Sequence, residues 1–355
     1  MASSKGKKIT IIISLIVLIL VIITIAGYFY VKKQLDAKDS DSKEKIVVEI
    51  PSGANAKKIG NILEDEKVIN SATLFSYYVK YTNEMNLKAG RYELSPSMDT
   101  EKIVKVLKSG KTAVPDRLII PEGYSLDQIA ERIVLYVPTI KKKDVLKKMD
   151  DQAFVKKMIE KYPDTVTKDV LNASIKHPLE GYLYPATYEF KEAKPQIEAI
   201  LEEMVKATQL NLAPYREELK KQKKSVHELL TMSSIIEKEA TENVDRKTIA
   251  SVFYNRLDEN MRLQTDPTVL YALGKHKSRT LYKDLKVESP YNTYLNNGLP
   301  PGPISNSGKS SIEAALYPAK TDYLYFLANT KTGKVYFSKT LEEHNKLKAE
   351  HINGK

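Results

Sequence analysis

The chain has 355 residues, 56 Lys and Arg against 45 Asp and Glu, a formal charge of +11, and no cysteine. The missing cysteine excludes disulfides, thiol nucleophiles and thiolate metal sites together, so packing alone must hold the fold. The lysines are spread along the chain, with clusters at Lys141 to Lys143 and Lys220 to Lys224; such runs are ordinarily solvated helix faces, and no nucleic-acid partner is expected of them.

Residues 9–31 carry no charge. At 1.5 Å per residue they are long enough to cross a hydrocarbon layer of about 30 Å. Thr24-Ile25-Ala26 imitates a signal-peptidase site, but a cleaved signal has an apolar core of only about 7–15 residues, which favours an uncleaved anchor in contact with membrane lipid. Lys5, Lys7 and Lys8 precede the span and Lys32 and Lys33 follow it. This bias puts the short tail, residues 1–8, inside the cell and the remainder outside, in a single-pass cell-membrane topology. Over three hundred residues then lie beyond the membrane, enough for two or three subdomains. There the anionic partners of a basic chain are lipid headgroups and wall polymers.

Residues 32–45 read as a charged tether, with Asp39-Ser40-Asp41-Ser42 and no apolar periodicity. From Ile46, an apolar Ile-Val-Val-Glu-Ile run predicts a strand, then a Pro-Gly turn and a helix through Ile59, Ile62 and Leu63. The same phrase returns further on: Ile50-Pro51-Ser52-Gly53 with Ile59 matches Ile120-Pro121-Glu122-Gly123 with Ile129. A shared strand-turn-helix solution accounts for two such copies as well as a true repeat does. The first copy continues through Leu74, Tyr77 and a strand over 89–94; the stretch 46–115 resembles a LysM-like module, a fold associated with glycan strands. Residues 116–176 hold the second copy and a lysine-rich helical region without evident chemistry. His177 to Tyr188 follows, where prolines and glycine forbid a continuous helix and crowded tyrosines serve either to pack a core or to stack on sugars.

Residues 177–355 carry the candidate chemistry. Ser225 and Glu228 form a capping box that fixes the register of the helix after them. In that register Val226, Leu229, Leu230, Ser233, Ile236 and Ala240 share a stripe, Glu237 falls in its middle, and Glu239 projects to the other side. A carboxyl held against apolar neighbours loses the hydration that favours its charged form and keeps a proton near neutral pH, the requirement for a general acid. A buried Glu paired with an Arg, or capping a backbone group, satisfies the same pattern. Residues 245–260 form a second helix with Ile249, Val252, Phe253 and Leu257 inward and Arg256 beside them, placed either to neutralise Asp266 or Glu239 or to grip a ligand. Asp266-Pro267 starts another helix, which Gly274 ends. The stiff loops around 291–294 and 298–304 offer polar groups to a groove. A hairpin joins 323–328 to 334–338, and Thr340 with Glu343 caps a last helix.

The five histidines are scattered and form no His-Glu-x-x-His pattern, so neither a metal nor another cofactor is expected. Lys331-Thr332-Gly333 matches one element of penicillin-binding proteins, but Ser-x-x-Lys matches such as Ser4 to Lys7 and Ser42 to Lys45 lie in the tail and tether. The Lys-Thr-Gly run is therefore read as a hairpin turn.

Ser234 to Ala240, Ala250 to Leu257, Met261 to Val269, Tyr291 to Tyr294 and Gly298 to Gly302 together resemble the YceG-like family of endolytic murein transglycosylases, called MltG. The resemblance implies an α+β fold with a single transmembrane helix, the LysM-like module, and a mixed helical and β-hairpin catalytic domain. It places the family's catalytic Glu at Glu237, with peptidoglycan glycan strands as substrate and the cell-wall synthesis machinery as partner. It further implies cleavage between N-acetylmuramic acid and N-acetylglucosamine without water, leaving 1,6-anhydro ends that terminate nascent strands. Asn255, Gln264, Tyr291 and Asn292 are the candidates for holding N-acetyl and hydroxyl groups, with Asp266 and Tyr294 completing the set. Two alternatives stay open: a muramidase that uses water, with Asp266 as its activating partner, and a non-catalytic wall-binding scaffold for synthases.

Overall fold

In a computed structural model the described residues are 3–110, 117–190, 192, 194–240, 245–274, 280–329 and 332–353, with 3–13 and 353 described by backbone alone. His276, Lys331 and the boundary at 115/116 lie outside them. The chain divides into two compact units, the first built mainly of residues up to 116 and the second of 117–134, 140–190 and 194–355.

The first unit begins with helix α1 (Ser3–Leu35), whose large apolar side chains from Leu15 to Val31 are exposed. Its stretch Ser14–Leu35 is long and apolar enough to cross a membrane. The helix outlasts the uncharged run by a full turn, because Lys32, Lys33 and Gln34 are good helix formers and nothing before Asp36 breaks it. Residues 36–45 are less free than a tether: Asp39 N–H donates to the Pro96 carbonyl at 3.0 Å, and Asn70 Nδ2 donates to the Asp36 carbonyl at 3.2 Å.

Strand β1 (Ile46–Ile50), helices α2 (Ala56–Asp65) and α3 (Ala72–Tyr81), strand β2 (Gly90–Leu94) and helix α4 (Thr100–Ser109) follow. The two strands pair antiparallel, Val48 opposite Tyr92. Asn55, Ser71 and Asp99 each accept a backbone N–H at the start of their helix, which fixes where each begins. Alternating Val48 and Ile50 point inward with Tyr92 and Leu94 onto Ile59, Leu63, Phe75, Val79, Ile103 and Leu107. At Gly60 a Cβ would lie 2.7 Å from the Ala72 carbonyl oxygen, so α2 and α3 approach to a distance that only glycine permits.

The second unit opens with strand β3 (Leu118–Ile119) and helix α5 (Leu126–Tyr136), whose last two residues group with the first unit. Helices α6 (Lys142–Met149) and α7 (Gln152–Lys161) form the lysine-rich region; Val145, Met149, Phe154, Val155 and Met158 are buried while the lysines stay on the solvent side. Strand β4 (Thr187–Tyr188) pairs with β3, Ile119 opposite Thr187. Residues 117–134 and 140–190 group in one compact unit with residues 194–355. Gly53 and Gly123, equivalent in the two Ile-Pro-x-Gly phrases, both take the left-handed conformation, at φ +72° and +74°.

Helices α8 (Ile197–Leu212), α9 (Arg216–Gln222), α10 (Val226–Glu239), α11 (Arg246–Asp258), α12 (Asp266–Leu273) and α13 (Lys309–Leu316) complete the helical part. Strands β5 (Tyr325–Ala328) and β6 (Val335–Ser338) form the hairpin, and α14 (Leu341–Lys348) closes the chain behind its Thr340/Glu343 capping box. The architecture is mixed α+β with short two-stranded sheets. Helix α10 is central rather than one-sided: every residue from Leu229 to Ile236 is buried. Apolar side chains cover one arc, and Thr231, Ser233 and Ser234 cover the rest by returning hydrogen bonds to their own helix or to Ser307.

Candidate active site

Helix α10 delivers Glu237 on its last turn. The Ser225/Glu228 capping box anchors the other end, with Glu228 N–H donating to Ser225 Oγ at 3.0 Å and Ser225 N–H to Glu228 Oε2 at 2.7 Å. Each such cap contributes about 1 kcal/mol and removes register freedom from everything downstream. Lateral position comes from the buried serines: Ile304 N–H donates to Ser234 Oγ at 3.0 Å, and Ser233 Oγ donates to Ser307 Oγ at 3.0 Å. The segment Ile304 to Ser307 is thereby laid along α10, and its continuation brings Gly308 to Glu237.

The Glu237 side chain is 7% exposed. Gly308 N–H, at the N-cap of α13, donates to its Oε2 at 3.0 Å, and Nη2 of Arg246 lies 3.9 Å from its Oε1. Both contacts hold the carboxyl in one rotamer. The arginine and the backbone cap, which from sequence were rival explanations of a buried Glu, are thus both present at the same carboxyl. Gly123 closes the opposite side, since a Cβ there would sit 3.4 Å from Glu237 Cγ. Lys238 Nζ donates to the Gly123 carbonyl at 3.3 Å, tying the end of α10 to the turn before α5.

Two members of this site were not singled out in the sequence, Glu122 and Arg246. The Glu122 carboxyl lies over the α-carbon of Gly308: a Cβ on that glycine would fall 1.9 Å from Glu122 Cδ and Oε1. Desolvation first and the Glu237 charge second push the Glu122 carboxyl above its ordinary range, against the pull of Arg246. The two Ile-Pro-x-Gly phrases differ at just this position, Ser52 in one and Glu122 in the other, and that contrast was the available signal. Arg246 Nε also donates to Ser311 Oγ at 3.2 Å, so α11 holds the start of α13 as well as the carboxylate.

Beside this constellation lies a cavity of about 340 Å³ whose lining includes Gly123, Lys238, Gln128, Lys176, Glu180 and Tyr271. Glu237 does not line it, but Gly123 and Lys238, its neighbours in space and in sequence, do. Glu180 is 1% exposed and accepts from Leu126 N–H at 3.2 Å and from Asn306 Nδ2 at 3.0 Å; burial pushes its carboxyl up to about 7.

Five of the six candidates for substrate contact make side-chain hydrogen bonds within the protein. Asn292 is fully buried, donates through Nδ2 to the Leu285 and Val287 carbonyls, and accepts from Tyr294 N–H through Oδ1. Tyr291 is buried, its hydroxyl accepting from Lys176 N–H at 3.4 Å. Tyr294 hydroxyl donates to Asp266 Oδ1 at 2.6 Å. Asp266 is the first helical residue and not the cap, a place taken by Thr265. Asn255 Nδ2 donates to the Thr321 and Tyr323 carbonyls, and its side chain lines a shallow opening with Tyr254 and Asp322, apart from Glu237. Gln264 is exposed at φ +52°. Among the hydrogen bonds described, none joins these six side chains to Glu237.

Other expectations resolve into packing. Arg256 donates to the Leu324, Arg262 and Leu263 carbonyls, so it satisfies backbone rather than Asp266 or Glu239. Glu239 does project away from Glu237, accepting from Thr265 Oγ1; burial pushes it up to about 7. In the tyrosine-rich bend, Tyr182 and Tyr188 are core residues. His227 Nε2 donates to the Pro301 carbonyl at 2.7 Å, which leaves Nδ1 to accept from the Tyr182 hydroxyl at 2.8 Å.

Residues 48–350 match the YceG-like family. The chain is 51% identical over 329 residues to a Bacillus subtilis (strain 168) protein named endolytic murein transglycosylase, covering 93% of this chain and 91% of that one. It is 40% identical over 344 residues to a protein of the same name from Streptococcus pneumoniae serotype 2 (strain D39), covering 93% of this chain but 62% of that longer relative. The crystal structure of a YceG-like protein from Listeria monocytogenes is 74% identical, with a TM-score of 0.67, across 86% of this chain and all of that one. With matches of this extent in sequence and in fold, the chain belongs to the YceG-like family.

Proposed function

We propose that this protein is a membrane-anchored endolytic murein transglycosylase in which Glu237 is the acid and base. The observation that carries the reading is the Glu237 carboxyl itself, its side chain 7% exposed on the last turn of a helix buried from Leu229 to Ile236, and oriented by Gly308 N–H. Glu237 in its acid form gives a proton to the bridging oxygen as the bond from the anomeric carbon of N-acetylmuramic acid breaks. The 6-hydroxyl of the same sugar closes onto that carbon and yields its proton to the Glu237 carboxylate, so a 1,6-anhydro ring forms, no water is consumed and the acid is regenerated. An attacking oxygen already tethered to the sugar has the rate advantage of an intramolecular group, which spares the site a water-activating base. The cavity at Gly123 and Lys238 is the natural seat for the part of the strand next to the cleaved bond.

A second reading, hydrolysis by water, gains one point from the structure, the presence of Glu122. Glycosidases that use two carboxyls set them on either side of the scissile bond. Glu122 and Glu237 instead both pack on the same residue, Gly308. Product chemistry separates the readings. The purified protein incubated with uncrosslinked glycan polymer should give 1,6-anhydro ends by mass spectrometry, lost in Glu237→Gln with the fold intact; reducing ends would establish a muramidase, and unchanged function of Glu237→Gln in cells would establish a scaffold.

The strand, two helices and strand of the first unit support the LysM-like reading and with it a role in holding glycan. Helix α1 supports an uncleaved anchor with the catalytic unit outside the cell, near the synthesis machinery. A mature protein of full-length mass that stays with membranes through alkaline extraction is the result expected; a shortened, soluble product would make α1 a signal sequence.

A further inference from the structure

We infer that Glu122 is a positioning residue for the reaction: with Glu237 it forms a carboxyl pair across Gly308 that shares one proton and keeps that proton available to the scissile oxygen. The inference deepens the transglycosylase reading and rests on it. Its basis is geometric. Gly308 offers its N–H to Glu237 Oε2 at 3.0 Å, and its α-carbon is covered by the carboxyl of Glu122, so two like-charged groups meet on one residue, with the Arg246 guanidinium as the cation that faces both. Like charges so placed do not both ionise readily, and the pair holds a proton at a pH where a lone carboxyl with the same surroundings has lost it. The upward push on Glu122 from burial and from Glu237 agrees with this.

The surroundings of Glu237 make the partner necessary. Gly308 N–H from α13 and the Arg246 guanidinium from α11 both stabilise charge there, and the Lys238 ammonium on α10 is bound to the adjoining Gly123 carbonyl. On the Glu122 side the facing groups are Arg246 and the Tyr184 hydroxyl, the latter pushed up by its own burial and then by Glu122. Glu313 on α13 is occupied by the Tyr215 hydroxyl at 2.7 Å, with Lys309 at 3.8 Å. Glu122 is thus the one negative group among these that lies against the site and opposes the cations. It is also exposed.

The test is the pH profile of kcat/KM for anhydro-product formation by the full-length protein, wild type against Glu122→Gln and Glu122→Asp. Glu122→Gln removes the repelling charge, so the alkaline limb should move to lower pH by about half a unit or more, a figure reduced by the solvent exposure of Glu122, while activity at the acid end is retained. Glu122→Asp, which keeps the charge, should restore most of that limb. A uniform loss at every pH, or an unchanged profile, would overturn the pairing. Wild type yielding only reducing ends would instead overturn the transglycosylase reading, independently of where the limb lies.

Discussion

Gly308 and Glu237 meet at a single hydrogen bond, the glycine N–H donating to Oε2 at 3.0 Å, where the end of α10 touches the N-cap of α13. The contact does two jobs. It fixes the rotamer of the candidate acid, and because the residue is glycine it leaves its other side free for the Glu122 carboxyl. Gly308 has an ordinary extended backbone at φ −78°, so the requirement for glycine is one of space and not of conformation.

That distinction predicts the behaviour of Gly308→Ala. The added methyl would meet the far end of an exposed side chain, which can swing away, so stability in urea should change by no more than about 1 kcal/mol. Glu122 would be driven off the pair, so the alkaline limb of kcat/KM should move to lower pH as in Glu122→Gln, a loss of about threefold above that limb with activity at the acid end retained. A large loss of stability would mean that rigid backbone, not a side chain, fills the space.

Arg256 should prove structural. Its guanidinium, 9% exposed, serves three carbonyls from two segments, and Arg256→Lys supplies a point charge that cannot reach all three. Leaving buried carbonyls unsatisfied costs about 1–3 kcal/mol each in the unfavourable case, so the unfolding midpoint should drop clearly. The KM for glycan should stay near the wild-type value; a selective rise in KM without destabilisation would assign Arg256 to the substrate.

Stability should fall as pH rises from about 4.5 to about 7, in part through Glu239. Burial lifts this carboxyl to about 7 in the folded protein against an ordinary 4.5. A raised carboxyl contributes fully while protonated in both states, below the ordinary value, and that contribution is lost as pH climbs through the folded value. Glu239→Gln should therefore flatten this part of the urea-midpoint profile relative to wild type. Parallel profiles for the two proteins would count against a buried, proton-retaining Glu239.

Asp266→Asn should still give anhydro ends. The carboxylate accepts from Tyr294 hydroxyl at 2.6 Å, a bond that an amide oxygen can also accept, so activity should remain within about tenfold of wild type. Complete loss with the fold retained, read by product mass and circular dichroism, would return Asp266 to the role of water activator.

Local chemistry was legible along the chain wherever both partners of an interaction lie within a turn or two. The Ser225/Glu228 and Thr340/Glu343 capping boxes, the Gly123 turn, the hairpin and the long apolar N-terminal helix all follow from spacing and residue type, because their geometry is set by backbone periodicity. Glu237 stood out for the same reason, as a carboxylate in an apolar register. Its surroundings did not. Glu122, Arg246 and Gly308 come from three distant segments, and only the packing of buried serines on α10 against residues 304–307 brings them to one carboxyl. Asn292 illustrates the converse: an amide reads as a ligand group in sequence, yet the fold turns it toward the Leu285 and Val287 carbonyls. Residue type states what a side chain can bond to; which partner it finds is decided by long-range packing, since every buried donor and acceptor competes for the groups that the fold happens to place beside it.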